Sequence, residues 1–153
     1  LPNVILGTLG NPSWAGYFHS LVKGCSELEE LHLDNWVGTE QITSLTATFS
    51  GCPKLHTLSL LGWDCSNITS MHAQWLFDQT KALVNFTGFP NIKVDFDMSM
   101  CVNLSAQSIE NIVRNLGDLT GATTQTCKLG TTNWNKVSDD IKAIAVNKNW
   151  TLA

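Results

Sequence analysis

Apolar and polar positions recur along the first part of the chain at an interval of 27 residues. Leu1, Leu28 and Leu55 are separated by it, as are Val4, Leu31 and Leu58, then Leu6, Leu33 and Leu60, then Leu9, Trp36 and Trp63. The other half of the unit repeats as well: Phe18 matches Leu45, Val22 matches Phe49, Gly24 matches Gly51 and Cys25 matches Cys52. The unit reads C-x-x-L-x-x-L-x-L-x-x-W. Its L-x-L centre predicts a short strand with alternate side chains inward, so Leu31 and Leu33 face a core while Glu30, His32 and Asp34 face away. The remainder of each unit returns with its own apolar residues, Leu45 and Phe49. A unit this short cannot bury its apolar face alone, and stacking on its neighbours is what stabilises it.

Beyond Trp63 the period drifts. Leu83–Phe86 is a degenerate strand candidate, and 91–96 alternates clearly, with Ile92, Val94 and Phe96 inward. Ser105 then precedes an apolar stripe of Ile109, Ile112, Val113 and Leu116, which predicts an N-capped helix closed at Gly117. A strand follows over Thr124 to Leu129, with Cys127 and Leu129 inward. A second helix runs from about Ser138 to Asn147, with Asp139 and Asp140 in its first turn. Trp150–Leu152 is a closing strand. The expected fold is therefore α/β, a short solenoid with a parallel sheet on one face and helical or irregular segments on the other. Residues 1–103 form the repeats and 104–153 a strand–helix–strand cap that continues them. Leu1 already occupies a repeat position, so the reading expects a fragment with an open first coil.

Of the 153 residues, 43% are hydrophobic and 14% charged, with a net charge of −4. That composition excludes a disordered chain and argues against a nucleic-acid binder, because nothing neutralises a row of phosphates. No apolar run is long enough for a membrane span, and no basic leader precedes one. The five cysteines show no CxxC and no zinc-ligand spacing, so they read as buried reduced thiols. No P-loop, G-x-S-x-G, HExxH or dinucleotide glycine pattern occurs, and no enzyme, cofactor or metal site is expected.

The stretch Leu60-Leu61-Gly62-Trp63-Asp64-Cys65-Ser66-Asn67-Ile68-Thr69-Ser70-Met71 resembles the BspA-like leucine-rich repeat of bacterial surface antigens, usually L-x-G-F-D-T-S-N-V-T-x-M. Thr48-Phe49-Ser50-Gly51-Cys52-Pro53-Lys54-Leu55 resembles the M-F-x-G-C-x-x-L half of that repeat. Leu104 to Ala153 is similar to modules that follow such repeats in gut-bacterial and phage proteins, through Asp118-Leu119-Thr120-Gly121, Leu129-Gly130-Thr131-Thr132-Asn133 and Asn149-Trp150-Thr151-Leu152. The unit length of 27 and the tryptophans at 36 and 63 depart from the usual pattern. The resemblance implies extracellular display, on a bacterial or virion surface such as a phage tail fibre, and adhesion to a protein or glycan.

The outward strand residues fall into columns about 4.8 Å apart: Asn3, Glu30 and Thr57; Ile5, His32 and Ser59; Gly7, Asp34 and Leu61. Lys93, Asp95 and Lys128 are expected to extend the same face. Such a sheet is the usual binding surface of a repeat protein. Its polar, mixed-charge makeup suits a protein or glycan, so Glu30, His32, Asp34, Thr57, Ser59, Lys93 and Asp95 are the candidate contacts. The plainer alternatives are a solvated sheet face with no ligand, or a structural module that caps or forms a homo-oligomer through its open first coil. Trp36, Trp63 and Trp150 occupy core positions of the pattern, whereas Trp14, Trp75 and Trp134 are the candidates for exposed stacking.

Overall fold

The computed structural model describes residues 18, 20–69, 71 and 73–153. The chain is α/β, with two small parallel sheets and a few short helices. The first sheet joins β1 (Glu30–His32), β2 (Thr57–Ser59) and β3 (Asn85–Phe86) in that order. Its register sets Glu30 beside Thr57 and Asn85, and Leu31 beside Leu58 and Phe86. The L-x-L reading of the first two strands is borne out, and the degenerate candidate at 83–86 supplies the third. Leu33, Leu58 and Leu60 are buried, and Leu31 packs half-buried against the same core.

Segments one period apart lie side by side outside the strands too. Val22 N donates to Thr48 O, Gly24 N to Ser50 O, Asn35 N to Leu61 O, and Cys65 N to Pro90 O. Side chains repeat the pattern: Asn67 Nδ2 donates to Glu40 O across 27 residues, and Trp63 Nε1 donates to Leu33 O. Buried Thr80 and Thr48 spend their hydroxyls on backbone carbonyls, Thr80 on Phe49 O and Thr48 on Leu45 O. Thus the apolar rows face inward while buried polar atoms between rows stay hydrogen-bonded, as burial demands.

The second sheet joins β4 (Phe96–Asp97), β5 (Gln125–Lys128) and β6 (Trp150–Leu152), all parallel. A single continuous sheet was the expectation, and the reason for the split lies in α2 (Ala106–Asn115). This helix packs where a fourth strand would continue the first sheet. Phe86 N donates to Ser108 Oγ, Asn111 Nδ2 to Phe86 O and Asn115 Nδ2 to Thr87 O. Polar helix side chains thereby take the place of ladder partners along the open edge of β3, which would otherwise be left unpaired. The strand expected over 91–96 shrinks accordingly: Ile92 makes one bridge to Leu116, and only Phe96–Asp97 pairs as a strand. Residues 90 and 91 run beside 64 and 65, in the part of the repeat that follows the strand.

Both predicted helix caps form. Ser105 Oγ accepts from Ser108 N at the start of α2, and Ser138 Oγ accepts from Ile141 N at the start of the helix α4 (Asp139–Asn147). Two short helices, α1 (Ala73–Leu76) and α3 (Thr131–Trp134), were not anticipated. The cysteine expectation holds for four thiols: Cys52, Cys65, Cys101 and Cys127 are free and buried. Burial pushes the Cys65 and Cys101 thiols up to about 12 and that of Cys127 further still, so they pack as small apolar groups. Cys25 is free but exposed, which corrects the reading. Its counterpart Cys52 is covered by the preceding segment and donates to Val22 O, a cover that Cys25 lacks among the described residues.

Gly51 shows why the repeat needs glycine where it does. Its φ is +70°, and an added Cβ would stand 3.2 Å from Cα and N of Gly24, the glycine one period earlier. Gly51→Ala should lose about 1–2 kcal/mol from the left-handed backbone alone, and more from the contact. Gly121 has φ +79° with open space around it. Its alanine variant therefore isolates the backbone share, and equal losses at the two sites, compared by urea unfolding, would remove the role of the contact.

Candidate functional site

The outward side chains of the first sheet come together as their alternation predicts. Glu30 and His32 stand on β1 with about half of each side chain exposed, and His32 Nε2 lies 3.5 Å from Glu30 Oε2. His56, just before β2, approaches the other Glu30 oxygen at 3.9 Å and sets its Nδ1 3.0 Å from Thr57 Oγ1. Asn85 Nδ2 donates to Thr57 Oγ1 at 3.3 Å and carries the polar row onto β3. A carboxylate, two imidazoles, a hydroxyl and an amide thus share one solvent-facing surface.

Two of the expected contacts have another task. Asp34 Oδ1 accepts from Ser59 Oγ and, at 3.0 Å, from Leu61 N. Asp64, 30 residues later in the chain, binds Ser66 N at 3.0 Å and Asn91 Nδ2 at 3.5 Å in similar fashion. Its carboxyl lies below the usual carboxylate range because those hydrogen bonds and Lys93 outweigh the opposing effect of burial. Asp34 is therefore a clamp between neighbouring segments, and Ser59, which is buried, spends its hydroxyl on that clamp.

Lys93 and Asp95 do not join this face. Asp95 accepts from Thr126 N and receives Gln125 Oε1 on its own amide, so it belongs to the edge of the second sheet. Lys128 is there too, with its Nζ 3.0 Å from Asp97 Oδ2. Burial opposes ionisation of Asp97, but hydrogen bonds from Ser99 and the Lys128 ammonium outweigh it and hold the carboxyl below its usual range. The alternation of 91–96 resembles a strand of the first sheet, and only the pairing of β4 with β5 reveals its true neighbour. Asn3, Ile5 and Gly7, with the proposed open first coil, lie outside the described residues.

Beside the row, β2 and β3 meet α2 along a hollow of about 240 Å³. His32, Thr57, Asn85 and Thr87 line one wall, and Gln107 and Asn111 the other. Sequence reading missed this half of the site. Asn85 was findable from its spacing to Thr57, but Gln107 and Asn111 read as the ordinary wet face of an amphipathic helix. Gln107 Nε2 donates to Asn111 Oδ1 at 3.1 Å, which fixes both amides.

The tryptophans divide as expected where they are described. Trp36, Trp63 and Trp150 are buried and Trp75 is exposed. Trp134 carries Lys142 Nζ 4.7 Å over its ring, an arrangement in which the ammonium meets the negative face of the ring. Among the described residues no three His, Cys, Asp or Glu side chains are grouped to hold a metal ion. Among them, too, no helix is long and apolar enough to cross a membrane. Comparison with protein-family models, curated proteins and solved structures gives no match for the chain.

Proposed function

We infer that the chain is a leucine-rich-repeat solenoid of the BspA-like kind, and that it serves as a non-enzymatic recognition module on a bacterial or virion surface. The observation that carries the reading is the in-register row Glu30, Thr57 and Asn85, which sets polar side chains of three successive strands on one solvent-facing surface. The 27-residue spacing of the cross-segment hydrogen bonds supports the solenoid, and the match of Leu60–Met71 to the surface-antigen repeat supports its location. The partner is a protein or a glycan, since the face mixes charge, hydroxyl and amide and holds no cluster of one sign.

The test is a double variant, Glu30→Ala with His32→Ala. Both side chains are half-exposed, and neither serves the Asp34 clamp through a short hydrogen bond, so the melting temperature should hold. Binding of the labelled chain to a panel of intact gut bacteria and to a glycan array should fall about tenfold, the scale of one lost contact of about 1.4 kcal/mol. Unchanged binding by the double variant would sink this face as the recognition surface.

A further inference from the structure

Resting on that reading, we propose that the hollow between β3 and α2 is a subsite for one ring of a neutral saccharide. Its volume of about 240 Å³ is below the roughly 300–1,000 Å³ of sites for drug-sized ligands. It suits a single pyranose and excludes a folded loop of protein. No lysine, arginine, aspartate or glutamate lines it among the described residues. A charged ligand would find no counter-ion there, and Glu30 beside His32 makes the rim unfavourable to an anion.

The polar atoms match vicinal hydroxyls, each of which both donates and accepts. Asn85 spends its NH2 on Thr57, and Gln107 spends its NH2 on Asn111, so two amide carbonyl oxygens are left uncommitted as acceptors among the described residues. Thr87 Oγ1 accepts from Leu60 N at 2.8 Å, which leaves its hydroxyl proton to donate. Leu58 and Phe86 complete the lining with apolar surface for the C–H face of a ring. The amide walls are held in advance: Asn111 also reaches Phe86 O, and Ser108 Oγ donates to Val84 O at 2.8 Å while accepting from Phe86 N. Binding therefore orders few side chains, which favours a small ligand with little area to offer.

The experiment is a backbone-amide NMR titration of the full chain. The probes are the neutral methyl glycosides of glucose, galactose, mannose, rhamnose and N-acetylglucosamine, with N-acetylneuraminic acid as the anionic comparison. At least one neutral glycoside should shift the amides of 85–87 and 106–111, and Gln107→Ala should weaken that glycoside about tenfold without lowering the melting temperature. The proposal is overturned if no neutral glycoside shifts those amides, or if neuraminic acid shifts them at lower concentration. The recognition reading stands or falls separately, on cell binding by the Glu30→Ala, His32→Ala variant. Wild-type binding to cells that the double variant loses, with no sugar response, removes the saccharide and keeps the face.

Discussion

Replacing Phe89 by alanine should destabilise the protein by about 3–5 kcal/mol, the range for a buried aromatic truncated to a methyl. Phe89 is almost fully buried, and its ring centroid lies 4.9 Å from Phe86, 6.1 Å from Phe77 and 5.6 Å from Phe96. Phe86 belongs to the first sheet and Phe96 to the second, so one ring bridges the two. The line continues from Phe96 to Trp150, 6.0 Å away on β6, and from Phe77 to Phe49, stacked at 5.5 Å. Edge-to-face pairs at these separations add to the burial of area. Neighbours drawn from several elements cannot all collapse into one cavity, which places the loss at the upper part of the range. Urea unfolding followed by tryptophan fluorescence measures it. Leu61→Ala, at a side chain 60% exposed, should change stability by no more than about 0.5 kcal/mol. A Phe89 loss as small as that of Leu61 would show that the rings do not couple the sheets.

Asn133→Leu should cost about 2–4 kcal/mol, because a side chain of similar size removes two donors and leaves their acceptors buried. Asn133 is fully buried in α3. Its Nδ2 donates to Cys101 O at 3.0 Å and to Leu129 O at 3.1 Å. Its Oδ1 accepts from Lys136 Nζ at 3.3 Å, and the same ammonium donates to Leu104 O at 2.8 Å and Val102 O at 3.2 Å. One amide thus ties the end of β5 to the turn at Cys101 and helps hold a lysine that binds the carbonyls before α2. Asn133→Asp separates the donor effect from that of shape, since it keeps the volume but sets oxygen against the two carbonyls. Thermal unfolding should rank wild type above both variants. An unaltered melting temperature for Asn133→Leu would mean that water replaces the amide.

Much of the first sheet was legible because its spacing is regular. Leu31 and Leu58 pair in the register that the 27-residue interval implies, and Trp36 and Trp63 are buried where the pattern puts them. The capped helices were legible for a different reason. Ser105 and Ser138 satisfy amides a few residues away, which is local chemistry that the chain carries with it. The site was only half legible. Glu30, His32 and Thr57 share a face by strand alternation, but Asp34 and Ser59 carry the same alternation and are consumed by a cross-segment clamp. Nothing in the order of residues distinguishes an outward side chain that meets solvent from one that meets a neighbouring backbone amide.

By itself the sequence determined the strand positions of the first two repeats, their facing rows, the helix caps and the inward tryptophans, because all of these follow from local geometry and from fixed intervals of apolar residues. The tertiary structure alone decided where the first sheet stops, that Lys93 and Asp95 belong to a second sheet, and that Gln107 and Asn111 face β3 across a hollow. Those outcomes depend on which element closes the edge of β3. That choice was made by hydrogen bonds from Ser108, Asn111 and Asn115, polar residues whose partners lie more than twenty positions away along the chain.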